Sequence, residues 1–264
     1  MDLYFEMYSG IAGDMTIGAL LDLGASKEVL VKAIDSLKID GYDLVFDRIS
    51  KSGIDAYHFD VLLKDNHSHD HHHDHDHSHD HEHTHNHVHR NIKDIEKIIT
   101  SSDVLSDRVK KDALGIFDII ADAEALAHGI DKKEVHFHEV GAIDSIIDIV
   151  GVCVLLEDLG VNDIYFSKLY EGVGRQKCAH GYMPIPVPAV VNILKDSGIG
   201  LNIINEEGEH ITPTGAAIVK YFNKNLTPDE FTIKNIGLGA GNKDFEKSTN
   251  ILRVMEITDP KKKA

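Results

Sequence analysis

Thirteen of the chain's nineteen histidines fall between His67 and His89, in the near-alternating run HSHDHHHDHDHSHDHEHTHNHVH. The run holds five acids (Asp70, Asp74, Asp76, Asp80 and Glu82), no Lys or Arg, and no apolar residue before Val88. Such a segment cannot bury enough apolar surface to fold alone, so residues 65–90 are expected to be a disordered insertion that splits the folding sequence in two. Neutral imidazole binds nickel, copper and zinc well. The density here points to metal collection by His67, His69, His71, His72, His73, His75, His77, His79, His81, His83, His85, His87 and His89. The plainer alternative is a solvated polar linker. The run is internal and interleaved with Asp, Ser, Thr and Asn, unlike an appended tag. Protonation competes with metal: the run's charge swings from −5 with neutral rings to +8 with all thirteen charged. Capture should therefore fade below about pH 6. Affinity order alone favours copper over nickel and zinc at nitrogen sites, and availability and site geometry override that order, so the run does not identify its metal.

Outside the run the chain has the means to build a core, with 42% hydrophobic residues over 264 positions. A formal net charge of −17 argues against a nucleic-acid partner and against an anionic membrane surface. Cys153 and Cys178 give neither a disulfide framework nor a CxxC pair. The N-terminus, MDLYFEMYSG, lacks the basic and apolar blocks of a signal peptide, and the apolar stretch Ile146–Leu156 is interrupted by Asp148 and too short for a bilayer. A cytoplasmic protein without a membrane partner is expected.

The spacing of apolar residues predicts strands at Leu3–Tyr8, Tyr42–Phe46, Tyr57–Leu63, Val135–Glu139, Ile164–Val173, Phe231–Ile236 and Ile251–Ile257. Helices are predicted from Asp14, as cap, to Leu23, then at Lys27–Leu37, Ile92–Ile99, Val104–Ala127, Ala142–Leu159, Ala189–Leu194 and Thr214–Tyr221. On Lys27–Leu37 the apolar face is read as Val31, Ile34 and Leu37. Interspersed strands and helices imply an α/β or α+β fold: one mixed-sheet domain over residues 1–258, with 259–264 as a tail.

Several constellations could carry chemistry. Ser9-Gly10-Ile11-Ala12-Gly13-Asp14 joins a strand to a helix; its glycines and helix start suit a phosphate, and a plain capped turn is the alternative. In His136-Phe137-His138-Glu139 an extended backbone puts both imidazoles on one face, and Asp144 and Asp148 share a helix face among isoleucines. Imidazoles beside carboxylates can ligate a metal or act as acid and base, which makes His136, His138, Glu139, Asp144 and Asp148 the candidate catalytic residues. Cys178 and His180 are a candidate metal pair, with a buried Cys beside a turn histidine as the alternative. Cys153 reads as core, His128 as a helix C-cap, and His58 as incidental. Thr212-Pro213-Thr214-Gly215 and Gly237-Leu238-Gly239-Ala240-Gly241 are further loops suited to a phosphorylated ligand, or else a cap and a flexible corner.

Taken in order, these segments resemble the nickel insertion proteins of the lactate racemase cofactor pathway, the LarC family. The resemblance rests on Tyr8–Met15, Gly18–Gly24, the histidine run, His136–Asp144, Cys178–Gly181, Thr212–Ala217, and Gly239–Gly241 before Leu252-Arg253-Val254. It implies a nickel chelatase of the lyase class that places Ni(2+) in pyridinium-3,5-bisthiocarboxylic acid mononucleotide. Implied nucleotide-binding residues are Ser9, Gly10, Gly13, Asp14, Thr212, Thr214 and Gly215. CTP with a divalent metal (Mg or Mn) is implied to act through a C-terminal domain that follows in full-length members. A C-terminal half made by ribosomal frameshifting is thus an implied partner, and a homo-oligomer is left open. Two departures stand out: Glu6-Met7-Tyr8 replaces the family's frequent Asp-Cys-Phe, and the chain stops at Ala264. The rival reading is a non-catalytic nickel storage protein or metallochaperone; a zinc hydrolase is weaker, without an HExxH pattern.

Overall fold

The computed structural model describes residues 1–64, 90–137, 143–178, 181–223 and 226–258, and the backbone alone of His136. The predicted disorder of 65–90 and the tail 259–264 therefore fall outside the described residues, save Arg90. In chain order come β1 (Asp2–Glu6), α1 (Gly13–Leu23), α2 (Lys27–Asp35), β2 (Tyr42–Lys51), β3 (Ile54–Leu63), β4 (Arg90–Asn91), α3 (Ile92–Ser101), α4 (Asp107–His128) and a 3-10 turn at Lys132–Glu134. There follow β5 (His136–Phe137), α5 (Ile143–Asp158), β6 (Asp163–Phe166), β7 (Leu169–Val173), β8 (Arg175–Cys178), β9 (Gly181–Pro184), α6 (Pro188–Leu194), β10 (Leu201–Glu207), α7 (Pro213–Phe222), β11 (Thr232–Ala240) and β12 (Ile251–Thr258).

The main sheet runs β2-β3-β11-β12-β1-β6 and is mixed: β1 pairs parallel with β6 and antiparallel with β12, while β11 and β3 are parallel. Alternation in β1 sends Leu3 and Phe5 into the core under the helices, with Leu252 and Val254 of β12 beside them. Tyr4, Tyr165, Met255 and Ile257 cluster separately. This is an α/β fold, as the pattern of elements implied.

Helix α1 lies so close to the sheet that it decides the composition of β11. A Cβ on Gly237 would collide with the Ala19 carbonyl, and one on Gly239 with that of Met15. The Gly237–Gly241 stretch is thus mostly strand rather than a phosphate loop or flexible corner; its glycines serve helix-on-strand contact.

Other expectations are corrected too. Ile164–Val173 is two strands in different sheets; between them Ser167 donates its N–H to Phe5 O (2.9 Å) and accepts Met7 N–H on Oγ (2.8 Å). β2 and β3 extend toward each other as a hairpin closed at Ser52-Gly53. The buried face of α2 is Leu30, Ala33 and Ile34, with Leu37 buried just beyond its end, and Val31 is half-buried. Asp14 does not cap α1: the cap is Ala12, which offers no side chain, and Asp14 lies inside the first turn. α4 ends on His128, but the capping position is Gly129. No helix among the described residues is long and apolar enough to cross a membrane.

Candidate functional site

Two helix starts meet beside the first turns of a third helix. Ile11, just before α1, forms an isolated parallel bridge with Ile211, just before α7. Ile11 N–H donates to His210 O (2.9 Å), and Thr212 N–H donates to Ile11 O (3.2 Å). Contact this close tolerates no side chains: a Cβ on Gly10 (φ +84°) would strike the His210 carbonyl, and one on Gly215 the Ile11 carbonyl. Thr212 caps α7 by accepting Gly215 N–H at 3.1 Å. A Cβ on Gly13 would lie 2.5 Å from the Asp148 carboxylate, so α5 delivers that carboxylate directly onto the α1 start. There Asp148 accepts the Asp14 N–H, the capping role that Asp14 itself does not play.

A cavity of about 540 Å³ opens at this junction. One wall is acidic: Asp14 of α1, Asp60 of β3, Glu124 of α4, and Asp144 and Asp148 of α5. The lining also includes the cap Thr212 and Thr214 of α7, Gln176 and Cys178 of β8, Glu209 and Asn242, and Phe137 and Met183 add apolar surface. No Lys or Arg is among the described lining residues.

Crowding these carboxylates perturbs them. Burial pushes the Asp14 carboxyl up to about 6, and the Asp60 charge adds to this while the Met15 N–H and His58 oppose it. Burial, then the charges of Asp14, Asp144 and Asp60, hold Asp148 well above the ordinary carboxylate range. Asp148 Oδ1 is sealed from solvent without a hydrogen-bond partner among the described residues. Mutually repelling carboxylates of this kind are relieved by a proton or by a cation. Even so, no three His, Cys, Asp or Glu side chains among the described residues converge as a ready metal site.

The predicted residues divide accordingly. Gly13, Asp14, Asp144, Asp148, Cys178, Thr212 and Thr214 line the cavity. Ser9, Gly10 and Gly215 do not: Ser9 is buried with Oγ 3.3 Å from Thr249 Oγ1, and the two glycines are spent on the loop contact. His136 sits in β5, opposite Asn91 of β4, beside the lining residue Phe137. His138, Glu139, His180 and the run His67–His89 lie outside the described residues. Cys178 is half-buried, its thiol donating to Gly181 O at 3.2 Å, whereas Cys153 is core and burial pushes its thiol well up.

Sequence reasoning missed Asp60, Glu124 and Glu209, and passed over the buried pair Glu171 and His210. His58, read as incidental, bears electrostatically on Asp14, and His128 lines the cavity with Nε2 3.5 Å from Glu124 Oε2. The available signal was EEGEH (Glu206–His210), an acid-rich stretch directly before the Thr212 cap.

The family model for nickel insertion proteins matches residues 3–264. The chain is 52% identical to the pyridinium-3,5-bisthiocarboxylic acid mononucleotide nickel insertion protein of Alkaliphilus metalliredigens, over 97% of this chain and 60% of that protein. It is 47% identical to the protein of the same name from Clostridium acetobutylicum (96% of this chain, 63% of that one). For the Staphylococcus epidermidis protein the figures are 43%, 97% and 59%. The chain thus spans about 60% of the length of the curated relatives it matches. No solved structure matches it.

Proposed function

The chain belongs to the nickel insertion protein family, and from that premise we propose that it inserts Ni(2+) into pyridinium-3,5-bisthiocarboxylic acid mononucleotide, with the cavity between α1, α5 and α7 as the place of transfer. The observation that carries this reading is that Asp14, Asp60, Asp144 and Asp148 all line one cavity, which Cys178 also lines. Buried carboxylates with further acids beside them favour a divalent cation, and the cation must displace whatever proton neutralises them when the site is empty. Asp144, Asp148 and Cys178, with His136, His138, Glu139 and His180, are the proposed ligands and proton acceptors.

Transfer then runs downhill. Nickel held by oxygen and nitrogen donors passes to the softer sulfur donors of the thiocarboxylates. A pyridinium ring is cationic and suits the acidic wall and Phe137, and the mononucleotide phosphate suits the α7 start at Thr212 and Thr214. The histidines from His67 to His89 supply nickel to this rim. We assign CTP, with Mg(2+) or Mn(2+), to a C-terminal part beyond the matched 60%, since a triphosphate calls for cationic side chains and the described lining has none. That part is the proposed partner of this chain in a cytoplasmic reaction. The fold over 1–258 is proposed to act as one unit.

The test supplies purified chain with Ni(2+), CTP, Mg(2+) or Mn(2+) and the bisthiocarboxylated nucleotide, with and without the C-terminal remainder of a relative. Nickel-bearing nucleotide, detected by mass, is expected from wild type and not from Asp148→Asn, an isostere of the protonated carboxyl that the fold already tolerates. No product from wild type with the remainder present would refute the reading in favour of a storage protein.

A further inference from the structure

Behind the cavity lies a buried acid–imidazole cluster that the proposed transfer does not use. Glu171, in β7, and His210, two residues before the α7 cap, have side chains with no solvent exposure. Glu171 Oε1 accepts N–H groups from Gly172 (2.8 Å) and His210 (2.7 Å), and the Ile211 N–H also bonds this carboxyl. The His210 ring stacks on Phe245 at 3.8 Å and 11°. Its Nδ1 faces Gly208 O at 2.9 Å; a carbonyl only accepts, so the hydrogen is on that nitrogen. Nε2 meets Glu206 Oε2 (3.3 Å) and Ser248 Oγ (3.2 Å).

The bonds continue toward the cavity. The His210 carbonyl takes Ile11 N–H, and the Ile11 carbonyl takes Thr212 N–H. One carboxylate in β7 is therefore linked, through a single residue, to the starts of both helices that face the cavity. The linkage has no slack: a Cβ on Gly172 would strike the Gly208 carbonyl, just as Gly10 and Gly215 leave no room at the next two contacts.

We propose that Glu171 is a positioning residue: by holding the backbone of His210 and Ile211 it fixes the α7 start against the α1 start, and with it the distance between the acidic wall and the Thr212–Thr214 edge. The inference rests on the cavity being the place where metal is held. Glu171 itself does not line the cavity; it is coupled to the lining residue Glu209 by charge and to the two helix starts by this backbone linkage.

Cys178 makes the inference measurable. It is half-buried at the rim while Cys153 is sealed in the core, so iodoacetamide should label Cys178 alone in the full chain. Ni(2+) in the cavity should slow that labelling. Glu171→Met keeps the volume and removes the acceptor. Its half-protecting Ni(2+) concentration should rise about tenfold, since displacing a positioned group by about 1 Å costs up to 100-fold. Its circular dichroism and the inertness of Cys153 should be those of wild type. Glu171→Gln keeps an acceptor oxygen and should stay within about threefold of wild type, a rescue that a merely space-filling role would not need. Wild-type protection that is unchanged in Glu171→Met, or equally lost in Glu171→Gln, would overturn the positioning role alone. Absence of protection in wild type would overturn the metal reading of the cavity, and this inference with it.

Discussion

Glu171 also sets a test of the electrostatics, independent of nickel. Burial pushes its carboxyl from the ordinary 4.5 up to about 7; the Glu209 charge adds to this, and the N–H groups of His210, Gly172 and Ile211 oppose it. The folded state therefore holds a proton that the unfolded chain releases between about pH 4.5 and 7. Stability from this group is fully present below pH 4.5 and is lost as pH rises through 7. At 1.36 kcal/mol per unit, the loss is about 3 kcal/mol. Glu171→Gln cannot titrate. The stability of the variant minus that of wild type should rise by about 3 kcal/mol between pH 4.5 and 8, which for a chain of this size is about 6–12 °C in Tm. Melting followed by circular dichroism, in nickel-free buffers at half-unit steps, reads this directly. The other charges on this cluster, Glu206, Glu209 and His210, are common to both proteins and cancel in the difference to first order. A signed difference that stays flat across this range, or falls as pH rises, would refute the assignment of a buried, proton-binding Glu171.

Three further outcomes are expected. Deleting Asn66–His89 should remove most bound Ni(2+) per chain, by elemental analysis, while leaving the helical dichroism; loss of both together would sink the separable-run idea. His136→Ala and Asp144→Asn should abolish nickel insertion at saturating Ni(2+) with the C-terminal remainder supplied, although the run still loads; wild-type yield would make that constellation structural. Gly239→Ala should cost about 3 kcal/mol or more in urea denaturation, because the new methyl meets the Met15 carbonyl of a helix that cannot retreat from the core; a near-neutral result would contradict the close approach of α1 to β11.

Elements facing the core were legible because burial imposes a period. Leu3 and Phe5 alternate in β1, Val109, Ala113, Phe117 and Ile120 repeat along α4, and Gly24 and Gly129 mark the ends. The pairs Arg175–Cys178 with Gly181–Pro184 and Leu201–Glu207 carry no such stripe, being largely exposed, and escaped notice. The cavity was half visible. Asp144 and Asp148 stood out as acids among isoleucines, and Thr212 as a cap. Asp60, Glu124 and Glu209 looked like ordinary surface acids, since only tertiary folding brings β3, α4 and the α7 approach to one place. Gly10, Gly215, Gly237 and Gly239 were noticed, but as ligand loops or else as turns and a flexible corner; in the structure they allow contact between segments distant in sequence, which spacing alone cannot reveal.

The points where the histidine run joins the fold have a kinetic consequence. β3 contributes Asp60 and Val61 to the cavity lining and ends at Leu63, and the described chain resumes at Arg90, whose strand partner Phe137 lines the same cavity. Whatever path the 25 residues from 65 to 89 take, a chain of that length held at both ends reaches no farther than about 45 Å from the rim. One nickel ion confined to such a volume corresponds to a concentration on the order of millimolar. On the proposed function, nickel carried by the run would be presented to the cavity at a concentration set by covalent tethering rather than by the surrounding solution.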